Sequence, residues 1–184
     1  MEWNDLFLTM AFVLAQKSKD ESTKCGAIIV DKHNRIVSGG FNGAVRGTND
    51  ALVPQTRPEK YLFNLHAEEN AIIFAKQDLE GAKCVVTNKC CHKCLSRLIQ
   101  TGVKKIIYPK INKAKMIDKI QEEAIEFTLS QHPEVVVEEL DLDGVEKILK
   151  LTSNSIQELK ELDVAKSVAK SVVEIAEQDK INKR

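Results

Sequence analysis

An α/β sandwich on a partly parallel sheet is the fold this sequence predicts, from three observations. A β-hairpin signal lies near the N-terminus, strand and helix patterns alternate after it, and 184 residues suffice for one hydrophobic core with an appendage.

The first element is a helix. Leu6, Phe7, Met10, Val13 and Leu14 recur at helical spacing behind Asn4 or Asp5, either of which can cap the first turn, and the pattern runs to about Ser18. A polar connector over 17–22 follows. The β-branched runs 25–30 and 35–41 then flank the short turn 32–34 and read as a hairpin, with Cys25 as a small buried hydrophobe and His33 solvated in the turn. Residues 42–65 carry Gly43, Gly47, Pro54 and Pro58 with little periodicity. So long a connection is usually functional, and because it runs into His66 it reads as a wall or lid over a site.

A helix opens at His66, with apolar positions at Ala67, Ala71, Ile72 and Ala75, and ends near Gly81; the strand 84–87 follows. From Cys91 another helix passes Leu95, Leu98 and Ile99 to Gly102, a natural left-handed stop. Residues 105–108 form a strand, Met116, Ile117, Ile120, Ala124 and Phe127 line a helix, and 135–137 is the last strand. Beyond Leu140 charge rises and glycine nearly vanishes, while Ala165, Ala169, Val172 and Ala176 make a narrow apolar seam. The chain therefore divides into a domain over 1–139 and a helical extension over 140–184, which docks back or pairs with a neighbouring subunit.

Lys plus Arg and Asp plus Glu each total 27, so the net charge is zero and a general polynucleotide binder is disfavoured. No apolar run approaches the ~20 residues that cross a bilayer, and the N-terminus lacks the pattern of a secretory leader, so the expected location is cytoplasmic. Five cysteines, three of them within 90–94, point to metal or redox chemistry instead of a disulfide framework.

Two stretches carry that chemistry, His66-Ala67-Glu68 and Cys90-Cys91-His92-Lys93-Cys94. A catalytic zinc has three protein ligands and one open position, and His66, Cys91 and Cys94 supply three. Cys91 and Cys94 converge from one helical turn, and a helix N-terminus favours thiolates. His66 and Glu68, two apart, do not share a helix face, so Glu68 reads as an acid/base and not as a ligand. H-x-E…P-C-x-x-C is the signature of zinc deaminases acting on nucleobases, and the chain keeps all of it except the proline, which is Cys90. In that reading zinc supplies hydroxide at neutral pH, and Glu68 moves a proton to the cytosine ring nitrogen before ammonia leaves C4. Two other readings use the same residues: a thioredoxin-like Cys-x-x-Cys redox motif, and a closed structural zinc site with Cys25, Cys84, Cys90 or His92 as fourth ligand.

With these stretches and others farther from the metal, over about residues 3–139, the chain resembles the deoxycytidylate (dCMP) deaminases of the cytidine deaminase superfamily. The matching segments are 3–12, Ala15-Gln-Lys-Ser-Lys-Asp, Gly26-Ala-Ile-Ile-Val, Gly40-Phe-Asn-Gly, His66-Ala-Glu-Glu-Asn-Ala-Ile and Ile99-Gln-Thr-Gly-Val-Lys-Lys-Ile-Ile-Tyr. The resemblance implies a three-layer α/β/α fold on a five-stranded mixed sheet, and hydrolysis of dCMP to dUMP with release of ammonia. It places zinc on His66, Cys91 and Cys94, proton transfer on Glu68, a pyrimidine contact on the Ala67 backbone, and a sugar contact on Asn42. Read from the residues alone, Asn42 is a turn residue suited to left-handed geometry. The resemblance further implies a homo-oligomer, often a hexamer, and response to dCTP and dTTP through residues 40–47. Lys17, Lys19, Lys24 and Arg46 lie in segments that border the nucleotide in the family and are the phosphate candidates. Three departures stand out. Cys90 replaces the usual proline, no aromatic follows Tyr108 within Pro109-Lys-Ile-Asn-Lys, so that base stacking comes from Tyr108, Phe63 or elsewhere, or is weaker, and the stretch after Leu140 has no counterpart. Competing substrates are free cytidine or deoxycytidine, adenosine in transfer RNA, and the pyrimidine of a riboflavin precursor. Net neutrality weighs against the RNA.

Overall fold

The computed structural model describes residues 2–110 and 118–182; in the last helix, side chains are described as far as 170, with 165 and 169 excepted. Two compact units result, Met1–Val145 and Glu146–Arg184. In the first unit the elements run α1 (Trp3–Ala15), β1 (Gly26–Val30), β2 (Ile36–Phe41), β3 (Gly43–Ala44), α2 (Lys60–Phe63), β4 (Asn64–Leu65), α3 (Ala67–Phe74), β5 (Lys83–Val86), α4 (His92–Gln100), β6 (Lys105–Pro109), α5 (Lys119–Gln131) and β7 (Val136–Leu140).

Five strands form one mixed sheet in the order β2-β1-β5-β6-β7. β1 is antiparallel to β2 and β5, while β5, β6 and β7 run parallel. Strand side chains alternate between faces, and the core splits accordingly. Ala27, Ile29, Cys84, Val86 and Ile106 pack with Ala71 of α3, Leu95 and Leu98 of α4 and Ile125 of α5. Ile28, Val30, Val85 and Ile107 face Phe7, Leu8 and Ala11 of α1 on the other side. The result is the expected three-layer sandwich.

Two glycines let helices approach this closely. A Cβ on Gly26 would lie 2.1 Å from the Ala11 carbonyl oxygen, and one on Gly40 would lie 2.2 Å from that of Ala67. Gly40 thereby seats the first turn of α3 directly on β2.

Several boundaries differ from the sequence reading. α1 starts behind Glu2, so Asn4 and Asp5 sit inside its first turn, and it stops at Ala15 instead of Ser18. Its core face is Phe7, Leu8, Ala11 and Ala15, which leaves Val13 61% exposed. α3 ends at Phe74, well before Gly81, which adopts φ +73° in the turn before β5. In α5, Ile120 and Phe127 are seven residues apart on a shared but exposed face, while Ile125 and Leu129 meet the sheet. Met116 and Ile117 lie outside the described residues. Left-handed backbone, expected at Asn42, occurs at Asn34 instead, with φ 61°.

The connection over 42–65 is tied at both ends, because Gly43 pairs with Leu65 and Ala44 with Asn64 in the β3–β4 ribbon. The second unit is helical, within α6 (Asp143–Asn182), and exposes Ile156, Leu159 and Leu162. The side chains of the seam at Ala165, Ala169, Val172 and Ala176 lie outside the described residues. No described helix is long and apolar enough to cross a membrane.

Candidate active site and metal centre

Two helix starts converge on one point. His66 is the N-cap of α3 and Cys91 the N-cap of α4, with Cys94 one turn along. His66 Nδ1 lies 3.5 Å from Cys91 Sγ and 3.4 Å from Cys94 Sγ. Zn–N bonds of ~2.05 Å and Zn–S bonds of ~2.3 Å at tetrahedral angles require an N···S separation of roughly 3.6 Å, so His66 already stands near the spacing zinc imposes from both thiols. Among the described residues no other His, Cys, Asp or Glu joins this group.

That leaves a fourth position open and weighs against a closed structural site. Cys84 is buried in the core, Cys25 accepts a hydrogen bond from Asn88 Nδ2 at 2.9 Å, and His92 Nε2 sits 3.0 Å from Thr128 Oγ1. Cys90 is buried, and burial together with the Glu68 charge holds its thiol well above the ordinary value. All five cysteines are free thiols.

The electrostatics of the three donors are coupled. The neighbouring Cys94 thiol brings the Cys91 thiol down to about 4; Cys91 in turn raises His66 to about 9 and pushes Cys94 up. Cys91 and His66 thus form a thiolate–imidazolium pair, and an ion binding here displaces the His66 proton, because imidazole ligates only when neutral. Glu68 is 5% exposed, and burial raises its carboxyl above the ordinary range. Glu69 braces the centre: its Oε2 accepts from the His66 backbone N–H at 2.7 Å, and its Oε1 pairs with Arg97 of α4.

These groups line a cavity of about 910 Å³. His66, Ala67, Glu68, Cys91 and Cys94 open onto it together with Asn42, and the connection over 42–65 contributes Arg57, Tyr61, Leu62, Asn64 and Leu65 as a wall. Asn42 is buried; its Oδ1 accepts from Cys25 N–H at 2.8 Å and its Nδ2 donates to the Thr23 carbonyl at 2.9 Å.

The phosphate candidates are not brought here. Lys17, Lys19, Lys24 and Arg46 are exposed and off the cavity, and the Arg46 guanidinium stacks on Phe74 at 5.2 Å. Among the described residues the lining cations are Arg57, Lys89, Lys93 and Arg97. Lys89 precedes the cysteine tract and Lys93 lies within it, a signal the sequence offered, while Arg57 sits in an aperiodic loop that offered none. Tyr108 is also displaced: it packs in the core and its hydroxyl donates to Glu139 Oε1 at 3.2 Å. Phe63 is likewise off the cavity, so the aromatic on its wall is Tyr61.

Residues 1–110 match the family model described as the cytidine and deoxycytidylate deaminase zinc-binding region. The chain belongs to this deaminase family. Within it, the chain is 50% identical over 109 residues to an uncharacterized deaminase in the luxG 3′ region of Aliivibrio fischeri, covering 59% of this chain and 74% of that protein. It is 38% identical over 115 residues to the deoxycytidylate deaminase of Mus musculus, covering 59% of this chain and 65% of the mouse protein, just under two thirds. Among solved structures, the dCMP deaminase of cyanophage S-TIM5 in complex with dCMP and dUMP superposes with a TM-score of 0.57 at 26% identity, covering 74% of this chain and 95% of that one. As a member of a zinc-binding deaminase family with a matching donor set, the chain takes zinc as its cofactor.

Proposed function

We propose that this deaminase hydrolyses dCMP to dUMP and releases ammonia. The observation that carries the reading is the open His66–Cys91–Cys94 donor set beside a buried Glu68, within one cavity. Its relatives supply the substrate: a mouse deoxycytidylate deaminase, and a phage dCMP deaminase crystallised with dCMP and dUMP.

Zinc, when bound to the three donors, supplies a hydroxide-like nucleophile at neutral pH by lowering the pKa of water from ~15.7 towards about 7. The chain's own groups do the rest. Glu68, with a raised proton affinity, accepts the proton of the attacking water and passes it to the pyrimidine ring nitrogen, then takes the remaining proton of the new C4 hydroxyl and delivers it to the departing amine, which leaves as ammonia while the C4 carbonyl forms. Ala67, fully buried at the cavity edge, offers its backbone to the base, and Asn42, already fixed by two backbone bonds, presents the remaining lone pair of its Oδ1 to the sugar.

Residues 1–139 are the catalytic domain in this reading, with 140–184 an extension used in docking or oligomerisation. Exposed Leu62 and Phe63 beside the cavity wall, and exposed Ile73 and Phe74 on α3, favour self-association, read as a homo-oligomer and most simply a hexamer. dCTP and dTTP are the expected effectors.

Ammonia release from dCMP, dCTP and deoxycytidine by the zinc-loaded protein tests the proposal. dCMP is expected to give the highest kcat/KM; equal or better turnover of deoxycytidine overturns the nucleotide assignment. Sedimentation with and without dCTP tests the assembly.

A further inference from the structure

At the cavity wall lies a buried ion pair that the metal chemistry does not use, its carboxylate on the cavity and its lysine behind. Lys60, the first residue of α2, is 2% exposed, and Asp20, in the connector after α1, is 5% exposed. Lys60 Nζ donates to Asp20 Oδ1 at 2.9 Å and to Oδ2 at 2.7 Å, and a third bond reaches Ser22 Oγ at 2.5 Å. Asp20 Oδ1 also accepts the backbone N–H groups of Ser22 and Thr23, each at 2.9 Å. Asp20 itself lines the cavity, and so do Tyr61 and Leu62, which follow Lys60 on α2. A carboxylate facing a site that receives an anion repels it, and the repulsion is strong where water is excluded.

We propose that Lys60 is a specificity-determining residue: by neutralising Asp20 from behind the wall, it lets the cavity admit a phosphorylated nucleotide. The bidentate geometry serves both halves of that role. It cancels the carboxylate's charge, and it anchors the connector to α2 so that Tyr61 and Leu62 stand at the cavity. No direct contact between Lys60 and substrate is involved, because its three donor positions are occupied by Asp20 and Ser22.

This inference rests on the nucleotide reading above, and the experiment separates the two. kcat and KM for dCMP and for deoxycytidine are measured in the zinc-loaded wild type and in Lys60→Met, Asp20→Asn and the double variant, with zinc content and melting temperature checked for each. Lys60→Met bares the Asp20 charge and is expected to lower the dCMP-to-deoxycytidine ratio of kcat/KM on the order of tenfold, through KM. Asp20→Asn leaves the lysine charge uncompensated and is expected to raise the ratio, and the double variant returns it to near wild type. A purely structural pair would lower both substrates together in both single variants, with no change in ratio; that result overturns the inference. Should Lys60→Met fail to fold, the sign in Asp20→Asn decides, since an unchanged or lowered ratio there overturns it as well. A wild type that does not turn over dCMP removes the nucleotide reading and this inference with it.

Discussion

At the scale of single residues the proposed reaction turns on Glu68. It is buried, its carboxyl is raised by desolvation, and it is not one of the three clustered donors. Glu68→Gln is therefore expected to retain stoichiometric zinc while losing ~10²-fold or more in kcat, as loss of a proton shuttle does. Near-normal turnover in a variant that still holds zinc would remove Glu68 from the mechanism. Glu69 has a different task. It ties the His66 backbone to Arg97 of α4 and so fixes one donor relative to the other two. Groups that orient ligands typically contribute 10–100-fold in metal affinity. Glu69→Ala should lose zinc to a chromogenic chelator that much more readily, and an unchanged affinity would show the brace to be incidental. The donors and Glu68 were legible because helix starts and i, i+3 spacing fix them locally. Of the cavity's cations, Lys89 and Lys93 carried a signal in their place at the cysteine tract, whereas Arg57 did not, because the connection over 42–65 has no periodicity to read.

Among elements, the seat of α3 on β2 controls the site. A methyl group on Gly40 would stand 2.2 Å from the Ala67 oxygen and 2.4 Å from the Ala71 nitrogen, both backbone atoms of α3. Gly40→Ala must push the helix outward, and overpacking of this kind costs typically ~1–3 kcal/mol. A lower melting temperature is expected, together with weaker zinc binding, because α3 carries His66; a variant that keeps both would mean that the sheet yields instead. The link between the connector and α2 adds a pH dependence. Burial raises Asp20, but bonds from Lys60, Thr23 and Ser22 outweigh it and hold the carboxyl below its ordinary value of 3.8. A depressed folded pKa means that the pair's contribution is complete above that value and is lost as pH falls through the lower, folded one. Acid titration of wild type and Asp20→Asn should therefore converge in stability below pH ~4, and curves that stay parallel would show that Asp20 titrates normally. Strands were well read from β-branched runs, whereas helix ends were not. α3 stops at Phe74, where Ala75 turns extended and the polar run Lys76-Gln77-Asp78 follows, so that Leu79 is buried from a loop. In α5, equally apolar residues lie on both faces, and only packing against the sheet selects Ile125 and Leu129 over Ile120 and Phe127.

For the whole first unit, the metal centre joins parts that the sheet alone holds less firmly. His66 starts α3, which packs on β2 and β1, whereas Cys91 and Cys94 start α4, which follows β5; a bound ion therefore cross-links two helix starts from different strands. An ion that binds only the folded chain stabilises it by mass action, by about 4 kcal/mol at a thousand times its Kd. For a domain of this size that is roughly ten degrees in melting temperature. Stripping the protein with a chelator should lower Tm by about that much. Stoichiometric zinc should restore it, with sulfur-to-metal absorption after cobalt substitution reporting both thiolates. Cys91→Ser should melt near the stripped value and respond little to added zinc. If the chelated protein melts where the loaded one does, the three donors do not hold an ion that matters to the fold, and the convergence of His66, Cys91 and Cys94 would need another cause.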